Sequence, residues 1–127
     1  MAWRSGLALL LVGVPALVSA SMLHLKLSRS EPAANAVLTA APRQVKLWFT
    51  QKPELTVTSI KVTSGSGATS VERALVPLAR ADGADAPISA PVGAPLAAGR
   101  YQIVWRTMAR DGHVLKGVIP FDVRGAR

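Results

Sequence analysis

Residues 94–123 read APLAAGRYQIVWRTMARDGHVLKGVIPFDV, and the reading of this stretch decides the fold. Tyr101, Ile103 and Trp105 occupy alternate positions of one run, and Ile119, Phe121 and Val123 occupy alternate positions of another. A period of two places every second side chain on one face, which is the mark of a half-buried strand. Ala98-Gly99 and Asp111-Gly112 are turn signals flanking the first run. Pro120 lies inside the second run and lacks an N–H for a ladder, so it predicts an edge position or a bulge.

The same period recurs upstream. Leu23, Leu25 and Leu27 alternate with His24, Lys26 and Ser28, which puts His24 on the polar face of a first strand. Val45, Leu47 and Phe49 alternate in QVKLWFT. Leu55 and Val57 alternate, and Ile60 and Val62 resume with the opposite parity, which predicts a bulge or kink between them. Pro87–Ser89 has room for a short strand. The alanine-rich stretch 33–41, bracketed by Pro32 and Pro42, has room for one helical turn, and no window keeps a 3.6-residue apolar period for three turns. Short strands separated by Gly/Pro turns predict an all-β antiparallel sandwich or barrel of about seven strands. Trp48, Phe49, Tyr101, Trp105 and Phe121 are the large core candidates.

Composition bounds the chemistry. A chain of 127 residues reads as one domain. It has no cysteine, which excludes disulfides, thiol nucleophiles, iron–sulfur clusters and thiolate metal sites. Its two histidines exclude any three-histidine site within one chain. Arg4 followed by the apolar stretch Leu7–Val18 and the small residues Val18-Ser19-Ala20 reads as a secretory signal peptide, too short to span a membrane comfortably. Residues 1–20 are therefore expected to be a leader, with cleavage falling as late as residue 23, and 24–127 the exported domain. The net charge of +8 falls to +7 when Arg4 leaves with the leader. The Lys and Arg residues are scattered singly, with no basic–aromatic alternation, so nucleic acid is not an expected partner.

Few residues are left to carry function. Asp111-Gly112-His113 pairs a carboxylate with an imidazole two residues away, and the glycine between them permits a tight turn. Oxygen and nitrogen donors suit copper(II), zinc or nickel, and the same triplet also reads as an ordinary hairpin turn. His24 is the second imidazole, and a histidine at or near a free α-amine can chelate with both groups; as an exposed strand residue it needs no function. There is no G-x-S-x-G elbow, and Glu54, Glu72, Asp82 and Asp85 form no acid/base pair by spacing, so an enzyme is not expected. Met22 and Met108 are too few for a thioether copper site, and Met108 reads as core filler.

The blocks HLKLSRSEPAANA (24–36), PRQVKLWFT (42–50) and APLAAGRYQIVWRTMARDGHVLKG (94–117) resemble the CopC family of periplasmic copper-binding proteins. His24 and Pro32, within Ser30-Glu31-Pro32-Ala33, match the family's N-terminal histidine and S-x-P-A motif. Pro95-Leu96, Gly99, Tyr101 and Trp105 match a second motif, and Trp105-Arg106, Asp111, His113 and Gly117 a third. The resemblance runs from His24 to Val123. It implies an immunoglobulin-like, cupredoxin-like Greek-key β-sandwich. It also implies a copper(II) site formed by His24 (amine and ring), Asp111 and His113, which stores or passes copper in homeostasis or resistance. The implied partners are a copper-transporting inner-membrane protein or other periplasmic copper carriers. The stretch Ser64–Glu72 holds no methionine where some members carry a copper(I) loop, so copper(II) alone is expected. Cleavage before His24 frees its amine; cleavage after Ser21 leaves a Met-Leu-His terminus with histidine third. An immunoglobulin-like interaction module without tight metal binding is the alternative.

Overall fold

The structure, a computed structural model, describes residues 24–65, 71–79 and 86–125. The expected leader, Met22, Asp82 and Asp85 lie outside the described residues. The strands are β1 (Leu27–Glu31), β2 (Ala36–Leu38), β3 (Gln44–Phe49), β4 (Ser59–Ser64), β5 (Val71–Leu75), β6 (Leu78–Ala79), β7 (Ile88–Pro91), β8 (Gly99–Met108) and β9 (Val114–Val123). Seven of them have four or more residues, and β2 and β6 are short additions. One sheet has the order β1-β3-β7-β6, the other β2-β9-β8-β4-β5. All pairs are antiparallel except β2 with β9. The expected all-β sandwich is the fold.

The core fills the space between the sheets. Val45 and Leu47 of β3 and Ile88 and Ala90 of β7 meet Ile60 and Val62 of β4, Tyr101, Ile103 and Trp105 of β8, and Ile119, Phe121 and Val123 of β9. These are the alternating residues of each run, so the period-two pattern and the buried face coincide. Tyr101 stacks on Phe121, and Phe49 meets Trp105 edge to face with centroids 5.4 Å apart. Trp48 departs from expectation. It faces outward on β3, half-buried, with the Arg29 guanidinium 3.8 Å above its ring. The neighbouring Leu47 and Phe49 take the inner face, so alternation itself excludes Trp48 from the core. Met108 also lies on the outer face, half-buried, and is not core filler.

Three local expectations change. β1 begins at Leu27, so His24 precedes the strand instead of lying on its polar face, although Leu25 is buried. The parity slip between Val57 and Ile60 marks a 3-10 turn at Leu55–Val57, not a bulge within a strand. The alanine-rich stretch forms no helical turn: Asn35 takes φ 63°, and residues 36–38 form β2. Pro120 behaves as expected. Its carbonyl accepts from the Asn35 N–H, so its nitrogen faces the edge of β9 that β2 covers only from Phe121 onward. The missing N–H therefore costs no ladder bond.

The longest pairing joins β8 to β9, from Gly99↔Val123 to Met108↔Val114. Within it Trp105 sits opposite Gly117, and a Cβ added there would lie 2.7 Å from the indole ring. The indole N–H is buried without a hydrogen-bond partner among the described residues, so shape holds this ring in place. Gly117→Ala is therefore expected to destabilise. Removing a strand glycine gains at most about 1 kcal/mol, whereas forcing a methyl group into a packed core costs about 1–3 kcal/mol. Thermal unfolding monitored by circular dichroism checks this, and a variant as stable as the parent contradicts it.

Candidate metal centre

The connection between β8 and β9 is Ala109–His113. Two backbone bonds close it: Ala109 N–H donates to the His113 carbonyl, and Gly112 N–H to the Ala109 carbonyl, each at 2.9 Å. Gly112 takes φ 90°, a left-handed conformation that a side chain would strain. This bend lets the Asp111 carboxylate fold forward onto the residue two positions on. Its Oδ1 accepts from the His113 backbone N–H at 3.1 Å, an Asx turn. Its Oδ2 lies 2.7 Å from His113 Nδ1. The two side chains thus meet through a turn, not through an extended segment.

The electrostatics fix the protons. The His113 backbone N–H is the main cause that holds the Asp111 carboxyl below its ordinary range, and the His113 ring adds to it; slight desolvation opposes both. An ionised carboxylate is an acceptor only, so Nδ1 is the donor. In the neutral ring the lone pair then belongs to Nε2, the arrangement in which a carboxylate orients a metal-binding imidazole. The pair is open to solvent, with His113 83 % and Asp111 61 % exposed.

His24 reaches the same place from the other sheet. The Thr50 hydroxyl donates to the His24 carbonyl at 2.7 Å, and the Lys26 N–H donates to the Thr50 hydroxyl at 2.9 Å. The result is an open cleft of about 340 Å³ lined by His24, Gln51, Arg110, Asp111 and His113 over the apolar Leu25, Ala109 and Leu115. All three residues expected to bind metal therefore line one cleft. They do not form a ready cage: among the described residues no three His, Asp or Glu side chains stand close enough to hold one ion. The side chains of His24, Asp111 and His113 are all exposed.

The donor set is two imidazoles and a carboxylate, nitrogen and oxygen ligands that fit copper(II). Among the described residues neither methionine nor cysteine lines the cleft. No serine among the described residues lines it, and Glu72 is engaged elsewhere, with Lys61 at 3.0 Å. Gln51, Arg110 and Thr50 had no signal in the sequence: each sits one or two positions from a strand end, and only the pairing of β1 with β3 brings Thr50 and Gln51 beside His24.

Comparison with known proteins identifies a family and a shared fold. The family model of the CopC domain matches residues 27–124. Copper resistance protein C of Xanthomonas campestris pv. juglandis is 30% identical over 126 residues, covering 97% of this chain and 98% of its own length. Protein YobA of Escherichia coli (strain K12) is 31% identical over 101 residues, covering 80% of this chain and 79% of its own. The crystal structure of CopC from Methylosinus trichosporium OB3b superposes with a TM-score of 0.69 at 28% identity, covering 82% of this chain and 97% of that one. Selenomethionine PcoC, a copper resistance protein from Escherichia coli, gives 0.66 at 27%, covering 78% and 99%.

The Asp111–His113 pair makes a direct prediction. The Asp111 carboxyl should titrate below 3.8 by carbon-detected NMR, and His113→Ala, which removes the ring but keeps the backbone N–H, should move it only part of the way back. The sign follows from linkage. A carboxyl depressed in the folded state contributes stability above its ordinary pKa and loses it as pH falls through the depressed value. A midpoint at or above the ordinary value contradicts the Asx-turn account.

Proposed function

The chain belongs to the CopC family, and from that membership and the cleft at the β8–β9 turn we propose that it binds copper(II) through His24, Asp111 and His113 and stores or passes it in copper homeostasis and resistance. The observation that carries the reading is that His24 lines the same cleft as the Asp111–His113 pair. Two relatives bear copper-resistance names, which supports the role. The leader read at residues 1–20 supports a periplasmic setting with 24–127 as the working domain. A copper-transporting inner-membrane protein and other periplasmic copper carriers are the partners this implies.

Each residue has a part. His113 offers an imidazole nitrogen from a turn fixed by the hairpin. Asp111 holds that ring in one tautomer in the metal-free protein and, once turned away from Nδ1, supplies the ion with anionic charge and an oxygen donor. His24 supplies the second ring, and its α-amine when the chain is cut before it. Nitrogen and carboxylate donors favour copper(II), whereas copper(I) prefers thioethers, which none of the described lining residues supplies. An open, solvent-facing site suits an ion that is delivered and handed on.

Copper(II) titration of the exported protein tests this. His24→Ala and His113→Ala are each expected to weaken binding by about tenfold or more, as losses of metal-site residues do. Equal, weak binding by the parent and both variants would identify an interaction module without a tight site instead. Acid gives an independent check. Protons compete with metal for imidazole, whose ordinary pKa is about 6.5. Asp111 stays ionised through that window, so the imidazoles set the profile. Binding should weaken about tenfold or more between pH 7 and pH 5, and unchanged affinity contradicts imidazole ligation.

A further inference from the structure

We propose that the Thr50 hydroxyl is the positioning group of the copper cleft: it fixes where His24 stands, and copper affinity depends on it. The inference rests on the reading that His24 holds the ion. Thr50 follows the last residue of β3, just past the ladder pair Leu27↔Phe49. Its backbone N–H donates to the Lys26 carbonyl at 2.9 Å. The Lys26 N–H in turn donates to Thr50 Oγ1 at 2.9 Å. An amide N–H can only donate, so the hydroxyl accepts there and keeps its single proton for the His24 carbonyl, at 2.7 Å. One hydroxyl therefore serves as acceptor and donor at once and extends the β1–β3 pairing by side-chain bonds where backbone pairing ends.

This matters because His24 precedes β1 and takes no part in its ladder. Two things hold its backbone among the described contacts. Leu25 is buried beside it, at 6% exposure, and the Thr50 hydroxyl grips its carbonyl. Leu25 fixes depth; the hydroxyl fixes which way the peptide at His24 faces. The His24 side chain is exposed, so the position of its backbone sets where its ring stands relative to Asp111 and His113. Gln51, the next residue, lines the cleft itself, so the same corner of the chain supplies a wall and a tether. A residue that orients a ligand without touching the metal commonly carries a tenfold or larger share of the affinity.

The test is a double-mutant cycle on copper(II) affinity, measured by competition with a chromophoric chelator, alongside thermal unfolding of the metal-free proteins. Thr50→Val keeps the shape and removes the hydroxyl; Thr50→Ser keeps the hydroxyl. Thr50→Val should weaken copper binding about tenfold, and Thr50→Ser should stay within about twofold of the parent. In a His24→Ala background Thr50→Val should change affinity by less than about twofold, since the tether then has nothing to position. A purely structural role would weaken both backgrounds equally, and that result overturns the proposal, as does parental affinity in Thr50→Val. If His24→Ala itself binds like the parent, the ligand assignment falls and the tether with it. A second measurement needs no variant. Coupling is reciprocal, so copper should slow hydrogen–deuterium exchange of the Lys26 amide in the unaltered protein, and an unchanged rate overturns the proposal even if Thr50→Val fails to fold.

Discussion

The antiparallel pairing of Gly99–Met108 with Val114–Val123 is the constraint on which the rest of the molecule depends. Its inner rows supply Tyr101, Ile103, Trp105, Ile119, Phe121 and Val123 to the core. Its outer side takes β4 on one flank and β2 on the other. The contact of Trp105 with Gly117 lets the two strands run close without a bulge near the end that bears the turn. Because the ladder is long and continuous, the five residues 109–113 leave and rejoin it at fixed points. A functional group on such a turn inherits the rigidity of the strands beneath it.

The two halves of the candidate centre are built in different ways. Asp111 and His113 organise each other within three residues, through an Asx turn and a ring contact of 2.7 Å. His24 arrives from the other sheet, ahead of the first strand, and owes its place to one buried leucine and one hydroxyl. One half is a preformed local device and the other is docked onto it. On the copper reading, this division suits a carrier. The rigid half presents a nitrogen and a carboxylate to solvent, and the other half is held by fewer contacts.

The β-sandwich was legible because alternation in β3, β8 and β9 is strict and each inner face is fully used. Legibility failed where side-chain pattern and backbone diverge. Leu55 and Val57 mimic a strand but form a 3-10 turn, with Val57 exposed. Trp48 looks like core by size, yet parity sends it outward, where Arg29 covers it. The site was legible only in part. Asp111 and His113 stand out because glycine separates them at a turn. The convergence of His24 on that turn is a tertiary fact, produced by the pairing of β1 with β3 and the packing of the two sheets, and no spacing in the chain encodes it. Thr50 and Gln51 escaped notice for the same reason: they are ordinary polar residues until the fold puts them at the cleft.

One copper(II) ion held between His24 and His113, as proposed, would carry two imidazole ligands. The chain contains no other histidine, so counting coordinated imidazoles identifies the ligands without ambiguity. Pulsed electron paramagnetic resonance on the protein loaded with one equivalent of copper(II) makes that count through the remote ring nitrogens. The expected spectrum carries the signature of two equatorial imidazoles. A spectrum with a single imidazole, or with none, would contradict it.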